Sequence, residues 1–189
     1  MVVALVTSFA LVALAEMGDK TQFVAFSMAT RYRRPWLVML GILIATTANH
    51  ALASSIGVWA GRLISGALLG WILGLGFIMF GVWVLIPHTL DEPVNGTAWG
   101  PLVSTAVVFF LAEMGDKTQL VTVALGARFG APMTVTVGTT LGMLAADGLA
   151  VFAGSYLSTR VPMRLVRWIA AGFFFVFGAA AILSTLGIA

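Results

Sequence analysis

Two copies of one charged nonapeptide hold most of the residues in this chain that could do chemistry. Leu14-Ala-Glu-Met-Gly-Asp-Lys-Thr-Gln22 returns unchanged at positions 111–119. Each copy sets two carboxylates, an ammonium, a hydroxyl and an amide inside an apolar run. Glu16, Asp19, Glu113 and Asp116 are the candidate metal ligands, with Gln22, Gln119, Thr21 and Thr118 as supporting contacts. Such a set is all oxygen, which suits Mg2+, Ca2+ or Mn2+. With no cysteine and two histidines, Cu+ and Zn2+ fit less well. The only lysines, Lys20 and Lys117, stand in the motifs, as do four of the seven acidic residues. Four carboxylates and two ammonium groups leave a charge of −2, the deficit that one divalent cation would fill.

The same residues allow a plainer reading. Glu16 and Lys20 are spaced i, i+4, as are Glu113 and Lys117, so each lysine could neutralise its own glutamate on a helix. That network would leave Asp19 and Asp116 without partners. On a continuous helix Glu16 and Asp19 share one face, with Gln22 a turn further on. Gly18 and Gly115 let the backbone loosen there and offer carbonyl oxygens, as the discontinuous helices of transporters do. One further position breaks the repeat. Asn49-His50 corresponds to Ala146-Asp147. An ionisable residue within a membrane is a functional candidate, so Asn49, His50 and Asp147 are read as a possible proton relay. The alternative is that each only bonds a neighbouring helix. His88, near a helix end, reads as a loop residue.

The elements that must carry these groups follow from composition. Sixty per cent of residues are hydrophobic, 9% are charged and mean hydropathy is +1.05. A soluble domain carries about 25% charged residues, so the composition implies an integral membrane protein. The net charge of +3 does not imply nucleic acid, because the arginines sit in short loops rather than on one basic face. Six apolar runs fall at 2–29, 36–60, 66–86, 101–127, 133–157 and 165–187. Each is near or above the ~20 residues that a helix needs to cross ~30 Å of hydrocarbon, and the alternation of a barrel strand is absent. The first run ends in Ala13-Leu14-Ala15, like a signal-peptidase site, but no basic residue precedes it, so it reads as a helix that is kept.

The nonapeptides lie in a longer register. Arg31 falls on Arg128, Pro35 on Pro132, Gly41 on Gly138 and Gly81 on Gly178, all at an offset of 97. The expected architecture is therefore all-α, with six transmembrane helices as a 3+3 repeat. The first unit spans 1–86, a linker 87–100, and the second unit 101–189. Three spans per unit reverse the second copy, giving an inverted-topology repeat with its site near the midplane. Asp19 lies twelve residues before Arg31, and Asp116 twelve before Arg128. That is about 18 Å along a helix, so both motifs sit near the bilayer centre. Small residues at fourfold spacing, Gly66, Gly70 and Gly74, then Gly138, Gly142 and Ala146, favour close helix packing. Loops one, three and five hold six arginines and the opposite face two, which puts those loops in the cytoplasm and both termini outside.

Two copies of Glu-x-Gly-Asp-Lys-Thr, one per three-helix unit, resemble the signature of the Gdt family, the transmembrane protein 165 family, over essentially the whole chain. The short linker resembles the minimal bacterial form, placed in the inner membrane. The resemblance implies exchange of Mn2+, or alternatively Ca2+, for protons, with Glu16, Asp19, Glu113 and Asp116 binding the cation. Lys20 and Lys117 would balance charge by pairing with emptied carboxylates. Rocking of one unit against the other would export the metal, with protons as the exchanged partner and no permanently bound cofactor. A passive cation channel is the alternative transporter reading. An enzyme is disfavoured, since no His-Glu-x-x-His pair and no nucleophile–histidine couple occurs.

Overall fold

Backbone amides in an apolar run have no water to bond, so such runs wind into helices. The computed structural model describes residues 1–86, 99–160 and 163–187, the side chains within 154–163 excepted, and contains no strand among them. The helices are α1 (Val2–Glu16), α2 (Lys20–Tyr32), α3 (Pro35–Leu63), α4 (Gly66–Leu85), α5 (Gly100–Glu113), α6 (Lys117–Phe129), α7 (Pro132–Arg160) and α8 (Met163–Thr185). The linker expected at 87–100, with His88, Asp91 and Glu92, lies outside the described residues save its last two positions.

Helices α3 and α4, Pro132–Ala153 of α7 and Arg164–Thr185 of α8 are long and apolar enough to cross a membrane. A fifth candidate span is the pair α1 and α2, bent by 75°. The apolar α5 has 14 residues. Here the expectation of one helix per run is corrected. The runs at 2–29 and 101–127 each break in two at the charged motif, for a backbone reason given below.

Polarity is sorted inside out. Trp59, Leu75 and Val176 are exposed, whereas Thr46, Ser54, Thr139 and Asp147 are buried. Water favours the opposite sorting, so the surface is suited to lipid. The chain is an integral membrane protein.

Helix pairing recurs between the halves. Helix α1 packs along α7 and α5 along α3; α2 lies on α7 and α6 on α3; α4 and α8 pair with each other. The contacts recur residue by residue. Gly41 of α3 stands against Leu102 and Thr105 of α5, and Gly138 of α7 against Leu5 and Ser8 of α1. A Cβ at Gly41 would lie 2.8 Å from the Leu102 carbonyl oxygen, and one at Gly138 2.7 Å from that of Leu5. Only glycine permits these backbones to approach so closely. Gly66, expected among the packing residues, meets nothing within 4 Å.

The turns after the short helices also match. Arg33 (φ 52°) and Gly130 (φ 62°) close α2 and α6 in the left-handed region, their N–H groups donating to the carbonyls of Ala29 and Gly126. Pro35 and Pro132 then open α3 and α7, where the missing N–H costs nothing.

Candidate metal centre

Each motif folds as a tight turn between two half-helices. Glu16 is the last residue of α1; Met17 has φ −63° and ψ 114°; Gly18 has φ 80°; the Asp19 N–H donates to the Glu16 carbonyl at 3.1 Å. The second copy repeats this, with Met114 at −67° and 115°, Gly115 at φ 79°, and Asp116 N–H to Glu113 carbonyl at 3.2 Å. These are type II turns, whose third position demands a left-handed residue and so a glycine. Asp19 and Asp116 become the N-caps of α2 and α6. In each turn the glutamine four residues beyond the glycine reaches back to accept from the glycine N–H, Gln22 Oε1 at 2.8 Å and Gln119 Oε1 at 2.7 Å. Glu16 and Asp19 therefore do not share one continuous helix face, contrary to expectation. One ends a helix and the other begins the next.

The break also undoes the local ion pairs. Lys20 is not a turn above Glu16 on the same helix, and its Nζ lies 3.2 Å from Asp116 Oδ1 in the other half. Lys117 reciprocates, its Nζ 2.9 Å from Asp19 Oδ1. The i, i+4 pairing is thus replaced by two crossed bridges between the repeats. Carboxylate oxygens of Glu16, Asp19 and Asp116 lie within 4.8 Å of one another. Glu113 is not in that group. It is 1% exposed, and neither of its oxygens has a hydrogen-bond partner. Glu16, fully buried, accepts from both motif threonines: Thr21 Oγ1 donates to Oε2 at 2.6 Å, and Thr118 Oγ1 to Oε1 from the other half.

Three carboxylates thus lie within 4.8 Å of one another, crossed by two lysines from opposite halves. The family model described as "Divalent cation/proton antiporter GDT1" matches residues 4–92 and again 101–188. The chain belongs to the GDT1 family. A Vibrio cholerae protein described as "Putative manganese exporter" is 42% identical over 93% of this chain and 88% of its own length. A GDT1-like protein of Synechocystis is 28% identical over 94% and 95% respectively. The GDT1-like protein 5 of Arabidopsis thaliana is 28% identical over 94% of both. No solved structure matches. GDT1 proteins are antiporters of divalent cations and protons, so the family is one of transporters and not of enzymes.

The remaining candidates surround this centre unequally in the GDT1 chain. Gln22 is engaged at both ends, since its Nε2 donates to the Ala146 carbonyl of α7 at 2.6 Å. Asn49 donates from Nδ2 to the Phe110 carbonyl at 3.0 Å, tying α3 to α5. His50 and Asp147 are buried with both ring nitrogens and both carboxylate oxygens unpartnered. Arg167 of α8 joins the site although its sequence position suggested only a loop arginine. With Asp19, Lys117 and Gly18 it lines a cavity of about 10 Å³, and its Nε is buried without a partner. The repeat held a signal for it, because its counterpart in the first half is Gly70.

Proposed function

We propose that this chain exchanges Mn2+ for protons by alternating access, with Ca2+ as the alternative substrate, and that it exports the metal from the cytoplasm. The observation that carries this reading is the pair of crossed bridges, Lys20 to Asp116 and Lys117 to Asp19. Each ammonium stands where a cation would neutralise a carboxylate, and each comes from the opposite half. A metal ion arriving among Glu16, Asp19 and Asp116 displaces the ammonium groups, and on its departure they return. The empty site thus keeps two carboxylates paired without a metal.

Glu16, Asp19, Glu113 and Asp116 are the proposed ligands, and Thr21, Thr118, Gln22 and Gln119 hold the turns and carboxylates in place. The matched pairings of α1 on α7 and α5 on α3 support a 3+3 inverted repeat with units 1–86 and 101–189. Rocking of one unit on the other would turn the site from face to face. The arginine distribution supports cytoplasmic loops one, three and five. The name of the Vibrio cholerae relative supports manganese as cargo, and oxygen donors suit Mn2+ over softer ions.

Protons enter by competition. Carboxylates crowded in a medium of low dielectric cannot all stay charged without a cation. Asp147, buried without partners and next in the chain to the Ala146 carbonyl that holds Gln22, is with His50 and Asn49 of α3 the proposed relay that passes protons to and from these carboxylates.

The test is uptake of Mn2+, Ca2+ and Mg2+ into proteoliposomes with and without a pH gradient. Uptake that needs the gradient and follows Mn2+ over Ca2+ supports the proposal. Equal flux without a gradient would mean a passive channel. Glu16→Gln, Asp19→Asn, Glu113→Gln and Asp116→Asn should each abolish transport in folded protein; near-normal transport in any two removes the shared site.

A further inference from the structure

Glu16 and Glu113 hold equivalent positions in identical motifs, yet this conformation treats them differently. Glu16 receives two hydroxyl donors, Thr21 from its own half and Thr118 from the other. Glu113 is as deeply buried and receives none. The ion pairs lean the same way. The side chains of Lys117 and Asp19 are 5% and 2% exposed, those of Lys20 and Asp116 36% and 11%. The Lys117–Asp19 pair is buried on both sides, whereas Lys20 is partly exposed over a mostly buried Asp116.

A threonine hydroxyl has one proton to donate. Two threonines can therefore serve one glutamate twice, but cannot serve both glutamates twice at the same time. Exchanging the halves turns Thr21 on Glu16 into Thr118 on Glu113, and Thr118 on Glu16 into Thr21 on Glu113. The exchanged arrangement has the same bonds, of the same types, and excludes the present one. We infer that Thr21 and Thr118 are positioning residues that together hold one glutamate at a time, Glu16 in this conformation and Glu113 in the oppositely facing one. The threonines would then make the site two-state, because an intermediate with the donors divided leaves both glutamates half-served. The inference rests on the alternating-access reading and adds to it the pair of groups that selects the state.

The two lysines are native reporters, since the chain has no others. Full-length protein in proteoliposomes is treated with a water-soluble, membrane-permeant amine-acylating reagent, and the modified peptides are quantified by mass. Wild type should label at Lys20 well above Lys117. Glu16→Gln removes the charged acceptor of this state and should move the Lys117:Lys20 ratio up by about tenfold. Glu113→Gln should move it the other way. Adding Thr118→Val to Glu16→Gln should cancel most of the shift, because the threonine now holds Glu113, whereas adding Thr118→Ser, which keeps the hydroxyl, should not. If Lys117 becomes reactive in Glu16→Gln but Thr118→Val leaves the ratio unchanged, the threonine role is wrong and alternating access stands. If Lys117 stays unreactive in every variant and under an imposed Mn2+ and pH gradient, alternating access fails and takes the inference with it. Thr118→Val alone, labelling at Lys20 well above Lys117 as wild type does, guards against reading a misfolded double variant as support.

Discussion

Replacing Gly115 by alanine tests whether the turn, and not merely the charges, makes the site. Gly115 has φ 79°, and a Cβ built there meets nothing within 4 Å. The cost of the substitution is therefore conformational. An L-residue held in the left-handed region loses about 1–2 kcal/mol, a factor of about 5–30 in the folding equilibrium. The chain supplies its own control. Gly130 has φ 62° and equally open surroundings, but it caps the far end of α6. Gly130→Ala should cost the same stability by the same mechanism, and Gly130→Asn less, because asparagine tolerates that region.

Transport should separate the two. Relief of the strain at position 115 draws α5 and α6 toward one continuous helix, pulling Asp116 from Lys20, now 3.2 Å away, and from Glu16 and Asp19. A displacement near 1 Å can cost about 10²-fold in a positioned reaction. Gly115→Ala should therefore lose tenfold or more in Mn2+ flux per folded molecule, and Gly130→Ala should keep most of its flux. Unfolding in mixed micelles, followed by fluorescence of the six tryptophans, measures stability, and proteoliposome uptake measures transport. Equal loss of flux in both variants would refute the argument, as would a Gly115→Ala protein with unchanged stability and flux.

Other substitutions probe the charges and the packing. Lys117→Met leaves Asp19 buried and unpaired and should destabilise by about 3–5 kcal/mol, whereas Lys20→Met, which strands the less buried Asp116, should cost about 1–3 kcal/mol; denaturation curves of both variants decide it. Gly41→Ala and Gly138→Ala push a Cβ against a backbone carbonyl on opposite halves and should lose similar stability, about 1–3 kcal/mol. Gly76→Ala, where nothing lies within 4 Å, should gain about 0.5–1 kcal/mol, read from the same curves. Mn2+ affinity of purified protein should fall steeply as pH drops from about 8 to 5, with protons released into weak buffer on binding; a flat profile removes competition at the site. Arg167→Gln should raise Mn2+ affinity by removing a positive charge beside Asp19, and an unchanged titration would leave that arginine a packing role.

The helical membrane class, the oxygen-rich motifs and the register of 97 were legible because each is a property of residue type or spacing. The turns were half-legible. Glycine followed by aspartate is the pattern of a type II turn running into the first residue of a helix, yet the apolar run on either side argued for continuity. The crossed ion pairs were hidden by a coincidence of spacing. Glu16 and Lys20 stand four apart, the distance of a helical pair, so a local partner masked one 96 residues away in the other half. Nothing in either nonapeptide marks Thr118 as a donor to Glu16, because that bond depends on how the halves face each other.

The inequality between Glu16 and Glu113 is of another kind. Two identical nonapeptides, with turn angles agreeing within a few degrees, cannot encode the difference in themselves. It comes either from positions where the repeat fails, such as Arg167 against Gly70 or Asp147 against His50, or from the conformation adopted. The two origins have opposite consequences. A difference fixed by Arg167 would persist whichever way the site faces, and Arg167→Gly, which restores the residue of the first half, would even out the reactivity of Lys20 and Lys117. A difference that belongs to the conformation survives that substitution and reverses when the site turns over. The contacts of Gly41 and Gly138, equal in the two halves to within 0.2 Å, favour the second origin: the helices that carry the motifs are held alike in both halves, so the difference between the glutamates does not start from that packing.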